Sequence, residues 1–183
     1  FLRDDRDDYG QAVVTLGLPD GDLLVVGPSN GLLAVARYNS DGSLETNFGT
    51  GGKLLLSITL NAQAAAIQAD GKIVIVGQLL GKFGVVRLNG DGSLDTTFSD
   101  DGRQTVVFTG ISAAAFDVAI DSAGNIVVAG YDQSDANYNF AVARLSNSGD
   151  LDATFDTDGR QTVDFVGVTD VARGVAIDAA GKI

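Results

Sequence analysis

Apolar positions in this chain fall in short runs of Val, Ile, Leu and Ala, each closed by a turn built from Gly, Asp, Asn and Ser. No run is long enough for a helix of ordinary length, and no 3.6-residue periodicity competes with the strand pattern. Runs of this composition bounded by Gly/Asp turns predict β-strands. Asp-Gly and Asn-Ser-Gly supply the positive φ angles of tight hairpins, so consecutive strands are expected to be antiparallel neighbours. Ile73-Val-Ile-Val76 is apolar at every position. A strand of that kind buries both faces, so the small sheets are expected to stack on one another.

The runs recur. One turn occurs as Asn39-Ser-Asp-Gly-Ser-Leu-Glu45, Asn89-Gly-Asp-Gly-Ser-Leu-Asp95 and Ser146-Asn-Ser-Gly-Asp-Leu-Asp152, followed by Phe48, Phe98 or Phe155. A second turn precedes a β-rich run at Asp20-Gly-Asp-Leu23, Asp70-Gly-Lys-Ile73, Ala123-Gly-Asn-Ile126 and Ala180-Gly-Lys-Ile183. Arg37, Arg87 and Arg144 stand between them, 50 and 57 residues apart. Four strands fit each repeat; in the third they are Phe116–Asp121, Asn125–Gly130, Phe140–Leu145 and Arg160–Phe165, denoted A to D. Four-stranded sheets repeating at this period describe an all-β fold of β-propeller blades. A β-solenoid is the competing architecture, with shorter coils and less hairpin chemistry. The blades fall at about residues 9–58, 59–108 and 109–165 of one propeller segment, with a truncated fourth at 166–183, some three and a quarter repeats in all.

With the repeats aligned, three motifs follow in order. They are Val-Ala-Ile-x-x-x-Gly-Lys/Asn-Ile-Val-Val-x-Gly, Phe-x-Val-x-Arg-Leu and Asp-Gly-Ser-Leu-Asp-x-x-Phe. This pattern resembles the delta-60 repeat, a bacterial β-propeller repeat of largely unknown function, and the run Gly174–Ile183 is similar to the inner hairpin of NHL-type blades. The resemblance covers nearly the whole chain. It implies a long secreted or surface-attached protein, an extracellular location, and no catalytic residues to carry over. The first repeat departs from the pattern at Leu16-Gly-Leu-Pro-Asp20, and the third has Ser148-Gly-Asp150 in place of Asp-Gly-Ser.

Spacing separates two ends of the blades. Arg to Gly across the C–D turn is 15 residues in all three repeats, whereas Gly to Arg across the B–C segment is 10, 10 and then 14. Gly to Ile across the D–A connection is 15, 18 and 18. In an antiparallel blade the B–C and D–A loops project from the same end, and variable loops on a rigid scaffold are where binding resides. The longest, Tyr131–Asn139, offers Tyr131, Asp132, Asp135, Asn137, Tyr138 and Asn139 as candidate contacts to a glycan or a protein. The bland alternative is a solvated hairpin tip. The acidic run of Asp4, Asp5, Asp7 and Asp8 at the same end reads as a solvated loop.

Composition narrows the chemistry. The 183 residues include no His, Cys, Met or Trp, which excludes an imidazole base, a cysteine nucleophile, a thiolate zinc site and a disulfide. A net charge of −12 disfavours nucleic acid and anionic membrane, and no apolar stretch reaches the length of a membrane-spanning helix. Asp100-Asp101 and Asp156 with Asp158 form carboxylate pairs of the kind a glycosidase uses. They lie in turns that recur blade by blade, where Asp is a turn former, so no catalytic residue and no cofactor is assigned. Calcium is the one ion the Asp-Gly-Ser turns could attract, but they lack the EF-hand spacing and Ser148 replaces the Asp in the third repeat.

The recurring arginine carries a sharper expectation. Arg37, Arg87 and Arg144 each precede an acid by eight residues: Glu45, Asp95 and Asp152. A hairpin turning between them sets each pair side by side, predicting a bidentate cross-strand ion pair in every blade. The reading that follows is a non-enzymatic module of a larger surface protein. Its alternatives are a glycan- or protein-binding propeller and a fragment of a propeller lyase or hydrolase. Its partners are expected to be further blades, from the same or another copy.

Overall fold

A computed structural model describes residues 12–15, 21–135, 137–167 and 169–183. The acidic run at residues 1–9 and the first A–B turn at 16–20 lie outside the described residues. Among the described residues, twelve strands form three four-stranded antiparallel sheets, each a simple up-and-down meander. The first contains β1 (Ala12–Thr15), β2 (Leu23–Ser29), β3 (Leu32–Tyr38) and β4 (Lys53–Leu56). The second contains β5 (Asn61–Ile67), β6 (Ile73–Leu79), β7 (Lys82–Leu88) and β8 (Arg103–Val106). The third contains β9 (Ser112–Ile120), β10 (Ile126–Ser134), β11 (Asn137–Leu145) and β12 (Arg160–Val163).

The stacking follows from strand alternation. One face of the first sheet, with Leu24, Val26, Leu33 and Val35, packs on Ile75 and Val86 of the second. The opposite face of the second sheet, with Val74, Val76, Phe83 and Val85, packs on Val128 and Ala143 of the third. The middle sheet is therefore buried on both sides, as the unbroken apolar run Ile73–Val76 requires. Gly77 and Gly130 lie where the A strand of their own blade bulges close, and a Cβ there would sit 2.0 and 1.9 Å from a backbone oxygen.

Two sequence expectations change. The third blade's B and C strands run on through the segment read as a loop. Tyr131–Ser134 belongs to β10 and Asn137–Asn139 to β11, paired from Ile126↔Leu145 to Ser134↔Asn137. The four extra residues of that segment lengthen each strand by two, to nine from the seven of β6 and β7. Asp135, at φ 47°, sits at the tip of the hairpin. Strand D of the third blade is also shorter than expected, ending at Val163. Residues beyond it run back across the face of the third sheet. Asp170 N–H donates to the Tyr138 carbonyl at 2.7 Å and Ala172 N–H to Gly130 at 3.2 Å.

Candidate functional site: charged links between blades and the variable end

Each C–D turn is closed by its own polar residues. Asp41 and Asp91 accept from the amide and hydroxyl of Ser43 and Ser93 at 2.6–2.8 Å, which holds both carboxyls below the usual carboxylate range. The Asp-Gly-Ser motif is thus a turn device in these blades.

The structure brings Arg87 Nε to 2.7 Å from Asp95 Oδ2 and Arg144 Nε to 2.8 Å from Asp152 Oδ2. Neither contact is bidentate, because the second carboxylate oxygen is already taken. Oδ1 of Asp95 accepts from the Thr97 amide and hydroxyl at 3.1 and 2.6 Å, and Oδ1 of Asp152 does the same with Thr154. Burial opposes ionisation of Asp95, but the Thr97 hydrogen bonds, then the Arg87 charge and Lys72, hold its pKa at about 2.

The Arg37–Glu45 pair does not form. Glu45 is one methylene longer and turns its Oε1 to the Asn47 amide at 2.9 Å. Arg37 instead pairs with Asp22, Nε at 3.0 Å and Nη2 at 2.9 Å from Oδ2. The swap is reciprocal. Where the first blade has Asp22, the second has Lys72, whose Nζ lies 3.3 Å from Asp95. An acid just before the B strand in one blade does the work of an acid after the C–D turn in the next.

The arginines also reach across the blade boundary. Arg37 Nη1 donates to the Gly90 carbonyl at 3.2 Å. Arg87 Nη1 donates to the Asn147 carbonyl, to its side-chain Oδ1 at 2.9 Å and to Gln68 Oε1 at 3.3 Å. Gly90 and Asn147 hold the same place in the C–D turn of the following blade. Gln68, 4% exposed, completes the link through Asn147 Oδ1 at 2.8 Å and the Gly124 carbonyl at 2.9 Å. Below the arginines a phenylalanine fills the same boundary: Phe48 lies against Gly92 and Phe98 against Gly149. The Arg87 guanidinium stacks over the Phe98 ring at 4.6 Å.

At the variable end the candidate residues divide between the two faces of the hairpin. Tyr131 and Tyr138 turn to one face, their rings 5.0 Å apart, and Tyr131 continues to Phe116 at 5.7 Å. All three are half-buried, and Arg173 lies 4.4 Å over the Phe116 ring. Asp132 and Asn139 stand opposite each other on adjacent strands. Asp132 is buried and receives the Gly110 amide at 3.1 Å; burial pushes its pKa up against that hydrogen bond. Asn139 Oδ1 is buried without a donor. Asn137 is half-buried at the start of β11, which leaves Asp135 as the one exposed member of the candidate set. Of the carboxylate pairs, Asp101 and Asp158 are occupied by Arg103 and Arg160, and Asp100 and Asp156 take left-handed φ in their turns. Among the described residues no cluster of three or more His, Cys, Asp or Glu is placed to hold a metal ion.

The sequence signal for the blade links was present in part. The eight-residue spacing located two of the acids. Nothing in the spacing marks the acceptors Gly90 and Asn147, because the groups they offer are backbone carbonyls.

Three stacked four-stranded meanders joined by repeating links define a β-propeller segment. The sequence matches the family described as "Domain of unknown function (DUF5122) beta-propeller" over residues 18–48, 68–98 and 124–155, just over half of the chain. The chain belongs to this family of β-propeller repeats. No curated protein matches it.

Proposed function

We propose that this segment is a non-enzymatic structural and interaction module of a larger extracellular bacterial repeat protein. The observation that carries the reading is where the recurring polar side chains go. Arg37, Arg87, Asn147 and Gln68 are spent on joining one blade to the next, and Asp22 and Asp95 on holding those arginines. A catalytic constellation would leave such groups converging on a cleft. The extracellular location rests on the delta-60 resemblance. Labelling intact producing cells with a membrane-impermeant amine reagent tests it: modification before lysis is expected, and labelling only after lysis overturns the location. Release of reducing or unsaturated sugar ends by the purified protein from bacterial polysaccharides would overturn the non-enzymatic assignment.

A second reading, glycan or protein binding at the variable end, is favoured by the half-buried aromatic row of Phe116, Tyr131 and Tyr138 beside Arg173. Rings of this kind offer a stacking surface at low entropic cost. A glycan array compared with Tyr131→Ala and Tyr138→Ala decides it, and unchanged binding by both variants sinks it.

A further inference from the structure

Two turns at the variable end carry residues that their backbone does not favour. The first blade's hairpin turns through Asn30-Gly31 at φ 51° and 75°, and the second through Leu80-Gly81 at 52° and 74°. Both are two-residue hairpin loops, which take Asn-Gly because each central residue needs positive φ. Leucine in that place sets its Cβ against the backbone. Packing does not offset this, for the side chain is 81% exposed. Val166, in the connector that leaves the third blade, repeats the anomaly at φ 69° and 95% exposure. Its turn is held by Asp164, whose carboxylate accepts from the Val166 amide at 2.8 Å, and by Asp170, which accepts from the Phe165 amide at 2.9 Å. Every other left-handed non-glycine residue among the described ones is Asn, Asp, Ser or Thr.

A third aliphatic side chain joins these two. The D–A connection into the third blade is longer than that into the second, 18 residues from Gly to Ile against 15, and it contains Ile111, 72% exposed. The Ile111 amide donates to the Gln133 carbonyl at 2.7 Å, and the Ala113 amide to Gly81 at 2.8 Å. Ile111 is thereby fixed between the second and third hairpins. Leu80 belongs to a sheet covered on both sides. Val166 holds the place of Thr109, which is exposed although a complete sheet follows it. Exposed acids gather at the opposite end, where Asp41, Asp70, Asp91, Asp101 and Asp158 sit in the A–B and C–D turns. Near the three tips the described charges outside the core are Lys82, Arg173, Asp135 and the amide-bound Asp164 and Asp170.

We infer that the variable end rests on a lipid surface, with Leu80, Ile111 and Val166 as the points that enter it. The three side chains project from separate loops, so they enclose no ligand. A fluid apolar phase receives each of them without a matching pocket, and shallow entry strengthens with the apolar area buried. Aliphatic tips neither stack on a sugar nor hydrogen-bond to it, which sets them apart from Phe116, Tyr131 and Tyr138. The net charge of −12 selects a zwitterionic headgroup over an anionic one. Backbone strain kept at an exposed apolar tip is accounted for by the contact that the tip makes. The inference goes beyond the structural-module reading and uses none of the aromatic row, so the vesicle and glycan experiments can fail separately.

Co-sedimentation of the 183-residue protein with phosphatidylcholine vesicles tests it. The wild type is expected to pellet in proportion to lipid. Leu80→Asn with Val166→Asn removes two tips while installing a residue that tolerates a left-handed φ. That double variant is expected to partition at least about tenfold more weakly, a loss of roughly 1.4 kcal/mol. Ile111→Ser should weaken binding in the same direction. Thermal melting separates lost contact from lost fold, because the double variant relieves strain and should melt higher than the wild type. A lower melting temperature would remove the argument from strain and the inference with it. Variants that pellet like the wild type would overturn it too. A wild type that ignores the vesicles would overturn it in favour of a protein partner for the same tips.

Discussion

Arg87 sits 2.7 Å from Asp95 on its own blade and 2.9 Å from Asn147 Oδ1 on the next, 60 residues further along the chain. One guanidinium thus fixes the register of a hairpin and the seating of a neighbouring sheet. At 3% exposure it cannot trade either contact for water. Burial of a charge is tolerable only when its donors are matched, and here Asp95, Gln68 and Asn147 match them.

Arg87→Ala is therefore expected to destabilise the fold by roughly 3–5 kcal/mol, the range for breaking a buried pair. Arg87→Lys should recover only part of this, since an ammonium cannot reproduce the fork. Arg144→Ala should cost less than Arg87→Ala, as its pair is partly solvated. Urea denaturation of the three variants checks the order, and equal losses at positions 87 and 144 would refute it.

The first blade solves the same problem with a different acid. Asp22→Asn is expected to lower stability by roughly 1–3 kcal/mol, because Arg37 loses its charged partner. Adding Glu45→Asp and Asn47→Thr rebuilds the Asp-x-Thr arrangement of the later blades and should recover most of that loss. A double-mutant cycle between position 22 and the 45/47 pair reads the coupling. Additive effects would mean that the two acids do not substitute for each other.

How far the chain was legible before folding follows from these residues. Blade boundaries are written in turn chemistry, since Asp-Gly and Asn-x-Asp-Gly need positive φ and so mark their positions whatever surrounds them. The Arg-to-acid spacing is equally local. It misleads at Glu45, where a single methylene redirects the carboxylate and Asp22, 15 residues before Arg37, takes over. The Tyr131–Asn139 segment has the composition of a loop, yet its backbone pairs through to Ser134↔Asn137. Tertiary stacking of Tyr131 on Tyr138 and Phe116 holds it there, against the weak β-propensity of Asp and Asn.

Acid should weaken the fold through Asp95. Its folded pKa, about 2, is below the ordinary 3.8, so its ionised form stabilises the fold. That contribution, of the order of 2 kcal/mol, is complete above pH about 4 and is lost as pH falls through about 2. Asp152 and Asp121 are shifted the same way and add to the slope. Asp95→Asn should be less stable at neutral pH and show a shallower fall between pH 4 and 2. A variant with the wild-type slope would remove Asp95 from the acid response.

The turn glycines separate backbone strain from blade packing. Gly42 and Gly149 have φ of 85° and 98°, so alanine at either pays the left-handed cost of roughly 1–2 kcal/mol. At Gly149 the new Cβ also meets the Phe98 ring at 2.8 Å, and overpacking adds roughly 1–3 kcal/mol. Gly149→Ala should therefore be clearly the worse of the two. Pairing Gly149→Ala with Phe98→Leu should relieve the difference, and failure to do so would place the cost in the backbone alone.

Asp132 offers a stabilising change. Its folded pKa is raised by burial, so the ionised form costs stability that is fully felt above that value and vanishes below the unfolded one. Stability tied to this group thus rises as pH falls, opposite in sign to Asp95. In Asp132→Asn the side-chain oxygen still accepts from Gly110 N–H, and the new amide faces Asn139, whose buried Oδ1 has no donor. The variant removes a buried charge and supplies a missing hydrogen bond together, so it should melt higher than the wild type at pH 7. A gain of about 1 kcal/mol corresponds to roughly 2–4 °C for a chain of this size. As the pH falls and Asp132 protonates, the advantage should shrink. A lower melting temperature at pH 7 would show that the carboxylate is held by charge the hydrogen-bond geometry does not reveal.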